Sequence, residues 1–417
     1  MLAFLDEFER KTKSERAKAA KSMDGDLKKA VMQDMAAFFA LLMATIAFRG
    51  RRGGVHSVRG KNLFCAFGWS RVTFPYRRGG DGRRDVFRAF GVDGNMTPCA
   101  AAEASRLGAS LGSFAEAHDV MLELACGDLS ESKIRKVTLA AGLSALAEQE
   151  NPPMDVRAYT QAQAGAPEGS REVPRTLVAM ADGTNAPCTK ADTNGVRGKN
   201  GGEAGSRQLR VMSFCEYERV TDKGVPIPIK GSFSYAVTDG DAAKMTSVMR
   251  TNGVARGYGT VPRMQCVADG EEAIERAMRD AFQKDTLFTN DFMHASGYLS
   301  TCVNALGIAD PDGEYKTCRS IMLRIGAGSA VKRIRRLYAD ELGNSEAALS
   351  ALDYLDKRKE NMRYGWLRKN GYYISSCHVE AAARILVARR GKQAGMHWRH
   401  RNAARVAALI AKYRSAV

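Results

Sequence analysis

Two short apolar runs in this chain stop at the same dipeptide. Thr176-Leu177-Val178-Ala179-Met180-Ala181 ends at Asp182-Gly183, and Met264-Gln265-Cys266-Val267-Ala268 ends at Asp269-Gly270. Short apolar runs bounded by turn residues read as strands buried on both faces. An aspartate at the end of a buried strand is costly unless something binds it. The glycine behind it permits a sharp turn and the close approach of a ligand. If the two strands are neighbours in a sheet, their carboxylates repel each other unless a cation neutralises them. Magnesium suits that position, because it takes carboxylate oxygen and retains water for a substrate phosphate. Taken singly, each Asp-Gly is also a common turn pair.

The stretches around these runs read as further alternation of strand and helix. Strands are expected at Gln208 to Tyr217, Ser232 to Thr238 and Thr286 to Asn290, with helices at Ala242 to Asn252 and Glu271 to Gln283. That is an α/β domain: three strands, a helix, a strand, a helix and a strand. Ala295 to Asn370 reads as helical and strongly charged, Gly371 to His378 as an irregular entry, and a final basic helix as beginning near Val379. Glu380 stands at the start of that helix, where an acid is locally favourable. Three carboxylates from two strands and a helix can hold two metals for an in-line phosphoryl displacement.

Charge narrows the partner. Lys+Arg 63 against Asp+Glu 46 leaves a formal net charge of +17. An excess of that size favours a polyanion, either nucleic acid or an acidic membrane surface. The apolar stretch Met35 to Phe48 is too short to span a bilayer and reads as a buried helix, so nucleic acid is the expected partner and a membrane is not. None of the nine cysteines forms a Cys-x-x-Cys pair, which argues for a reducing compartment without a zinc ribbon. The N-terminus carries acids early and does not read as a signal peptide.

Residues 1–48 read as helical with a break around Asp24-Gly25-Asp26. Arg49 to Arg88 holds eleven Arg/Lys, Arg71, Arg77 and Arg78 among them, against Asp81 and Asp85. Alternation in Asn62 to Tyr76 suggests a β-hairpin, either a DNA-backbone contact or a solvated basic face. Residues 97–150 read as three helices, with Ser113 and Glu116 as a capping box and Ser130 as a cap after the turn Gly127-Asp128-Leu129. Lys133, Arg135 and Lys136 follow that turn. The pattern fits a helix-turn-helix presenting these residues to the major groove, and equally any α-hairpin. Residues 151–175, rich in Pro, Gly, Gln and Ala, read as a linker.

Residues 176–417 resemble the catalytic domain of bacterial insertion-sequence DDE transposases, in the group related to Mutator-like elements with a helical insertion before the last acid. In that family the first acid ends the first strand, as Asp182 does in Val178-Ala179-Met180-Ala181-Asp182. The second ends the fourth strand in an Asp-Gly context, as Asp269 does. A Cys-or-Asp, two residues, then His motif follows the fifth strand, matched by Asp291-Phe292-Met293-His294. Ile374-Ser375-Ser376-Cys377-His378-Val379-Glu380 is similar to the turn before the third acid. Gly391-Lys392-Gln393-Ala394-Gly395-Met396-His397-Trp398 is similar to the family's closing motif. The chain has Glu271, Glu272 and Ala273 where many relatives carry an aromatic.

The resemblance implies an RNase H-like catalytic domain with a mixed five-stranded sheet, split as 176–294 and 371–417 around an all-helical insertion at 295–370. It is preceded by a mainly helical DNA-binding region: a helical and basic-hairpin part at 1–96 and a helix-turn-helix at 97–150. The implied activity is magnesium-dependent strand cleavage and transfer, with two ions on Asp182, Asp269 and Glu380, manganese substituting, and His294 beside them. The expected partners are double-stranded DNA, as element ends and target, and further copies of the chain in a homodimer or larger assembly. The expected location is the bacterial cytoplasm, on the nucleoid. Residues 380–417 hold nine Lys/Arg and one acid, and Arg389, Arg390, Lys392 and Arg399 are expected phosphate contacts. Trp398 fits the core better than a flipped base. A catalytically dead DNA-binding derivative and an RNase H-like nuclease are the alternatives.

Overall fold

The computed structural model describes residues 13–48, 57–76, 87, 91–92, 94–125, 127–152, 169–198, 201–283 and 286–415. The chain forms two compact units, Met1–Ala141 and Gly142–Val417. Arg77, Arg78, most of the remaining basic segment and the middle of the linker lie outside the described residues.

The first unit begins with α1 (Lys13–Phe48), one unbroken helix of 36 residues. The expected break at Gly25 is absent. A glycine costs a helix interior only about 1 kcal/mol against alanine, and Lys28, Lys29 and Ala30 continue the helix. The expectation that Met35 to Phe48 is a buried helix holds for one face alone. Met43 and Ala47 pack with Leu63, Val72, Phe74 and Phe87, while Leu27, Val31, Phe38, Leu41 and Leu42 are exposed. Asp24–Phe48 is long and apolar enough to cross a membrane by length and composition.

Strands β1 (Ser57–Cys65) and β2 (Gly68–Tyr76) form an antiparallel hairpin closed at Cys65↔Gly68, five residues longer at its start than the alternation suggests. Three helices follow, α2 (Pro98–Ser110), α3 (Phe114–Ala125) and α4 (Glu131–Glu150). The serine half of the capping box is present, the Glu116 N–H donating to Ser113 Oγ at 2.9 Å, whereas Glu116 Oε2 accepts from the N–H of Gly112, one residue before the cap, at 2.7 Å. Ser130 Oγ accepts from the Lys133 N–H at 3.4 Å.

The second unit is α/β, built on a mixed sheet. Its strands are β3 (Ser170–Pro187), β4 (Ser206–Thr221), β5 (Pro226–Pro228), β6 (Ser234–Thr238), β7 (Arg263–Ala268) and β8 (Thr286–Asn290). The order is β5-β4-β3-β7-β8, with β6 also paired to β4, so the sheet has six strands where five were expected. Tyr217, Arg219 and Val220 of β4 pair with β5, and 210–214 pair with β6. β3, β4 and their edge partners are antiparallel, whereas β7 and β8 run parallel to β3. Ser170–Arg175, read as part of the linker, belongs to β3, and its first three residues pair with the far end of β4 before a register shift.

Alternation along β3 sorts its side chains. Leu177, Ala179 and Ala181 join a core with α5 (Ala242–Ala255) and α6 (Glu272–Ala281). Val178, Met180 and Asp182 belong to the other face. After β8 come α7 (Phe292–Ala305), α8 (Pro311–Arg324), α9 (Ala327–Leu337), α10 (Ala339–Gly343), α11 (Glu346–Arg358) and α12 (Tyr364–Lys369). These helices have a core of their own around Leu299, Cys318, Met322, Ile334, Leu352 and Tyr364. The chain then returns to the sheet, where the Gln265 amide donates to the Tyr373 carbonyl at 2.7 Å and accepts from the Tyr373 N–H at 3.0 Å. The expected single final helix is broken into α13 (Cys377–Ala383), a π turn at Arg384–Ala388, a short turn, and α14 (His400–Arg414).

Candidate functional site

Register decides where the first two acids meet. The parallel pairing of β3 with β7 ends at Ala181↔Ala268. Asp182 and Asp269 are the next residue on each strand, and neighbouring strands lie about 4.8 Å apart. Asp182 does not end β3, as its apolar run suggests. It lies one residue past the last pair with β7, while the pairing with β4 continues to Pro187↔Ser206.

Three features hold Asp269. Its Oδ1 accepts from the Glu271 N–H at 2.8 Å. Its carbonyl accepts from the Tyr354 hydroxyl at 2.7 Å. Gly270 turns the chain with φ +96, and a Cβ there would lie 2.0 Å from Tyr354 Oη. Glutamate 271 itself turns away to Arg210, with which it pairs.

Glu380 enters from the first turn of α13, which packs on β3 and β4. The three acids share one electrostatic neighbourhood. Burial, then the charges of Asp269 and Glu380, push the Asp182 carboxyl up to about 6. The same two acids add to the upward shift of His294, whose first cause is its hydrogen bond with Asp291. Half-buried oxygens crowded in this way are a donor set for a hard cation.

A fourth carboxylate, Asp291, lies beneath them, fully buried. Its Oδ1 accepts from the His294 N–H at 2.7 Å and faces His294 Nδ1 at 3.2 Å. Its Oδ2 accepts from the Ser376 N–H at 2.7 Å and faces Ser376 Oγ at 3.1 Å. Burial opposes ionisation, but these hydrogen bonds outweigh it and hold the carboxyl down to about 2. Ligand atoms of Asp291, His294 and Glu380 all lie within 4.8 Å of one another. Asp182 and Asp269 are not members of that group, and Asp182 meets Asp269 and Glu380 through their charges.

No protein-family model matches this chain, and no curated protein does.

The basic residues expected at a phosphate backbone are unevenly placed. Arg135 and Lys136 are exposed and Lys133 is half-buried on α4, and Arg71 is exposed on β2. Arg389 and Lys392 are exposed, and Lys392 Nζ donates to Thr184 Oγ1 at 3.2 Å, two residues from Asp182. Arg399 is exposed and pairs with Asp192 at 3.2 Å. Arg390 is different: it is buried, with its guanidinium 5.2 Å from the Trp398 ring centroid, which removes it from the surface. Trp398 is itself buried and donates to the Gly391 carbonyl at 3.2 Å. His378 packs against Phe233 and meets the Tyr373 hydroxyl at 3.0 Å.

Sequence reasoning gave Asp291 no role, although Asp-x-x-His at a strand end carries the signal of an N-cap three residues before a helical N–H. Ser376 was quoted only as part of a turn. Tyr354 had no local signal, since it reaches the site from 85 residues away.

Proposed function

We propose that this chain is a DDE-type transposase whose catalytic domain is RNase H-like. The observation that carries the reading is the placement of Asp182 and Asp269 one position beyond a shared strand register, with Glu380 on the helix packed against the same strand. Antiparallel strands followed by two parallel strands, each reached through a helix, support the RNase H-like assignment. The helical insertion between β8 and α13 and the basic C-terminal segment support the particular group.

The three acids would bind two magnesium ions, or manganese in their place, and the metals supply Lewis acidity for an in-line displacement at phosphorus. The chain's own groups do the rest. Asp182, Asp269 and Glu380 would hold the ions. Asp291, ionised, accepts a hydrogen bond from the Nδ1–H of His294, which leaves Nε2 to orient a water or a phosphate oxygen. Exposed Lys392 and Arg389 provide positive charge for the DNA backbone. Double-stranded element ends and target DNA are the substrates, and the enzyme acts as a homodimer or larger assembly.

The test is magnesium-dependent nicking of duplexes taken from the sequences flanking the coding region. Asp182→Asn is expected to abolish cleavage and leave DNA binding intact. Cleavage retained in that variant sinks the assignment.

A further inference from the structure

We propose that Asp291 and Ser376 are positioning residues that set His294 and Glu380 together, so that the third acid is held by a buried hydrogen-bonded relay. The inference rests on the reading of Asp182, Asp269 and Glu380 as metal ligands.

The relay is built from two segments distant in sequence. Asp291 follows β8 and caps α7. Ser376 precedes α13, 85 residues later, and Glu380 is one turn on. Asp291 is fully buried and Ser376 is buried, so water does not compete for their hydrogen bonds. An ionised carboxylate only accepts. His294 must therefore present its Nδ1–H to Asp291 Oδ1, which leaves Nε2 as the nitrogen with the lone pair. A ligand or orienting histidine is commonly fixed in this way by a carboxylate behind it.

Ser376 divides its two donors. Its N–H points to Asp291 Oδ2 at 2.7 Å. Its Oγ lies 3.1 Å from Asp291 Oδ2 and 3.1 Å from Glu380 Oε1. One hydroxyl proton thus stands between two carboxylates. Because the N–H already serves Asp291, the hydroxyl proton is available to Glu380. Donated there, it fixes the Glu380 rotamer and leaves Oε2 for the cation. Loss of the hydroxyl leaves Glu380 to choose among rotamers, and loss of the Asp291 charge releases both the histidine tautomer and the turn.

The test is titration of manganese alone into the purified full chain, followed by calorimetry, with thermal melting of each variant. Wild type, Ser376→Ala, Ser376→Thr, Asp291→Asn and Asp182→Asn are compared. Ser376→Ala and Asp291→Asn are expected to weaken manganese binding about tenfold or more. Ser376→Thr, which keeps the hydroxyl, is expected to retain wild-type affinity, and Ser376→Ala to melt as wild type does. Should Asp291→Asn fail to fold, the serine pair carries the test alone. Wild-type affinity in Ser376→Ala overturns the relay, and so does a Ser376→Thr variant as weak as the alanine. If manganese binds wild type, Asp182→Asn abolishes binding and the relay variants bind normally, the relay falls and the metal reading stands. If wild type binds no manganese, both fall.

Discussion

The hydroxyl of Tyr354 donates to the main-chain carbonyl of Asp269 at 2.7 Å, joining α11 of the helical insertion to the turn that carries the second acid. Tyr354 is held in turn by Tyr298, whose ring stacks on it at 3.6 Å between centroids. The insertion therefore buttresses the site. Tyr354→Phe keeps the stack and removes one hydrogen bond, so a loss of about 1 kcal/mol in stability is expected. Gly270→Ala is expected to do more. It adds a Cβ 2.0 Å from Tyr354 Oη at a backbone φ of +96, a strain of about 1–3 kcal/mol before any clash. Thermal melting and manganese titration of both variants check this, and a Gly270→Ala protein that melts and binds like wild type refutes the buttress.

Asp182 gives the metal-free protein a pH dependence of known sign. Its carboxyl is pushed up to about 6 by burial first, then by Asp269. A raised acid binds its proton more tightly folded than unfolded, so stability is full below the unfolded value near 4 and falls as pH rises through 6. Asp182→Asn removes that cost. In chelator at pH 7 the variant is expected to be more stable than wild type by about 1 kcal/mol, discounted for partial exposure. The difference should vanish at pH 4. Manganese should reverse the ranking, since it stabilises only the protein that binds it. Melting curves at both pH values decide it, and a variant less stable than wild type at pH 7 in chelator contradicts the crowding of charge.

Within the helical insertion, buried Glu314 accepts from Arg333 Nε at 2.7 Å and Nη2 at 2.9 Å. The Arg333 guanidinium has the largest effect and holds the Glu314 carboxyl below its ordinary value despite burial. This stability is present above the unfolded carboxyl value and is lost as pH falls through the folded one. Arg333→Ala leaves a buried carboxylate without its partner and is expected to cost about 3 kcal/mol at pH 7. Denaturant midpoints should show the deficit shrinking toward pH 4, and a deficit that does not change with pH would assign it to lost packing.

What was legible in the sequence followed from local chemistry. Apolar runs bounded by turn residues gave β3, β7 and β8 close to their core positions, and the repeated Asp-Gly singled out two of the acids. What was hidden depended on long-range pairing. Ser170–Arg175 continues a stretch that reads as linker, yet β4 is long enough to pair with Ser170, Arg171 and Glu172. Charge alone made Arg390 a phosphate contact, but the broken end of the last helix turns it onto Trp398. Gly25 read as a break because a glycine's helix cost looks large locally and is small against 36 residues of helix. Asp291 was visible as the first residue of the Asp-x-x-His motif, but its bond to Ser376, 85 residues on, forms only once the insertion closes.

Helix α1 has two apolar sides with opposite expected responses to mutation. Met43 is fully buried against the hairpin core, whereas Leu41 is 65% exposed. Truncating a buried methionine costs about 2–5 kcal/mol, because the lost transfer energy adds to an unfilled cavity. A surface substitution away from caps and networks stays within about 0.5 kcal/mol. Met43→Ala is therefore expected to lower the melting temperature of the first unit by many degrees, and Leu41→Lys to leave it nearly unchanged. Differential scanning calorimetry of the two variants separates the faces. An equal loss in both would mean that the Leu41 side is covered in solution.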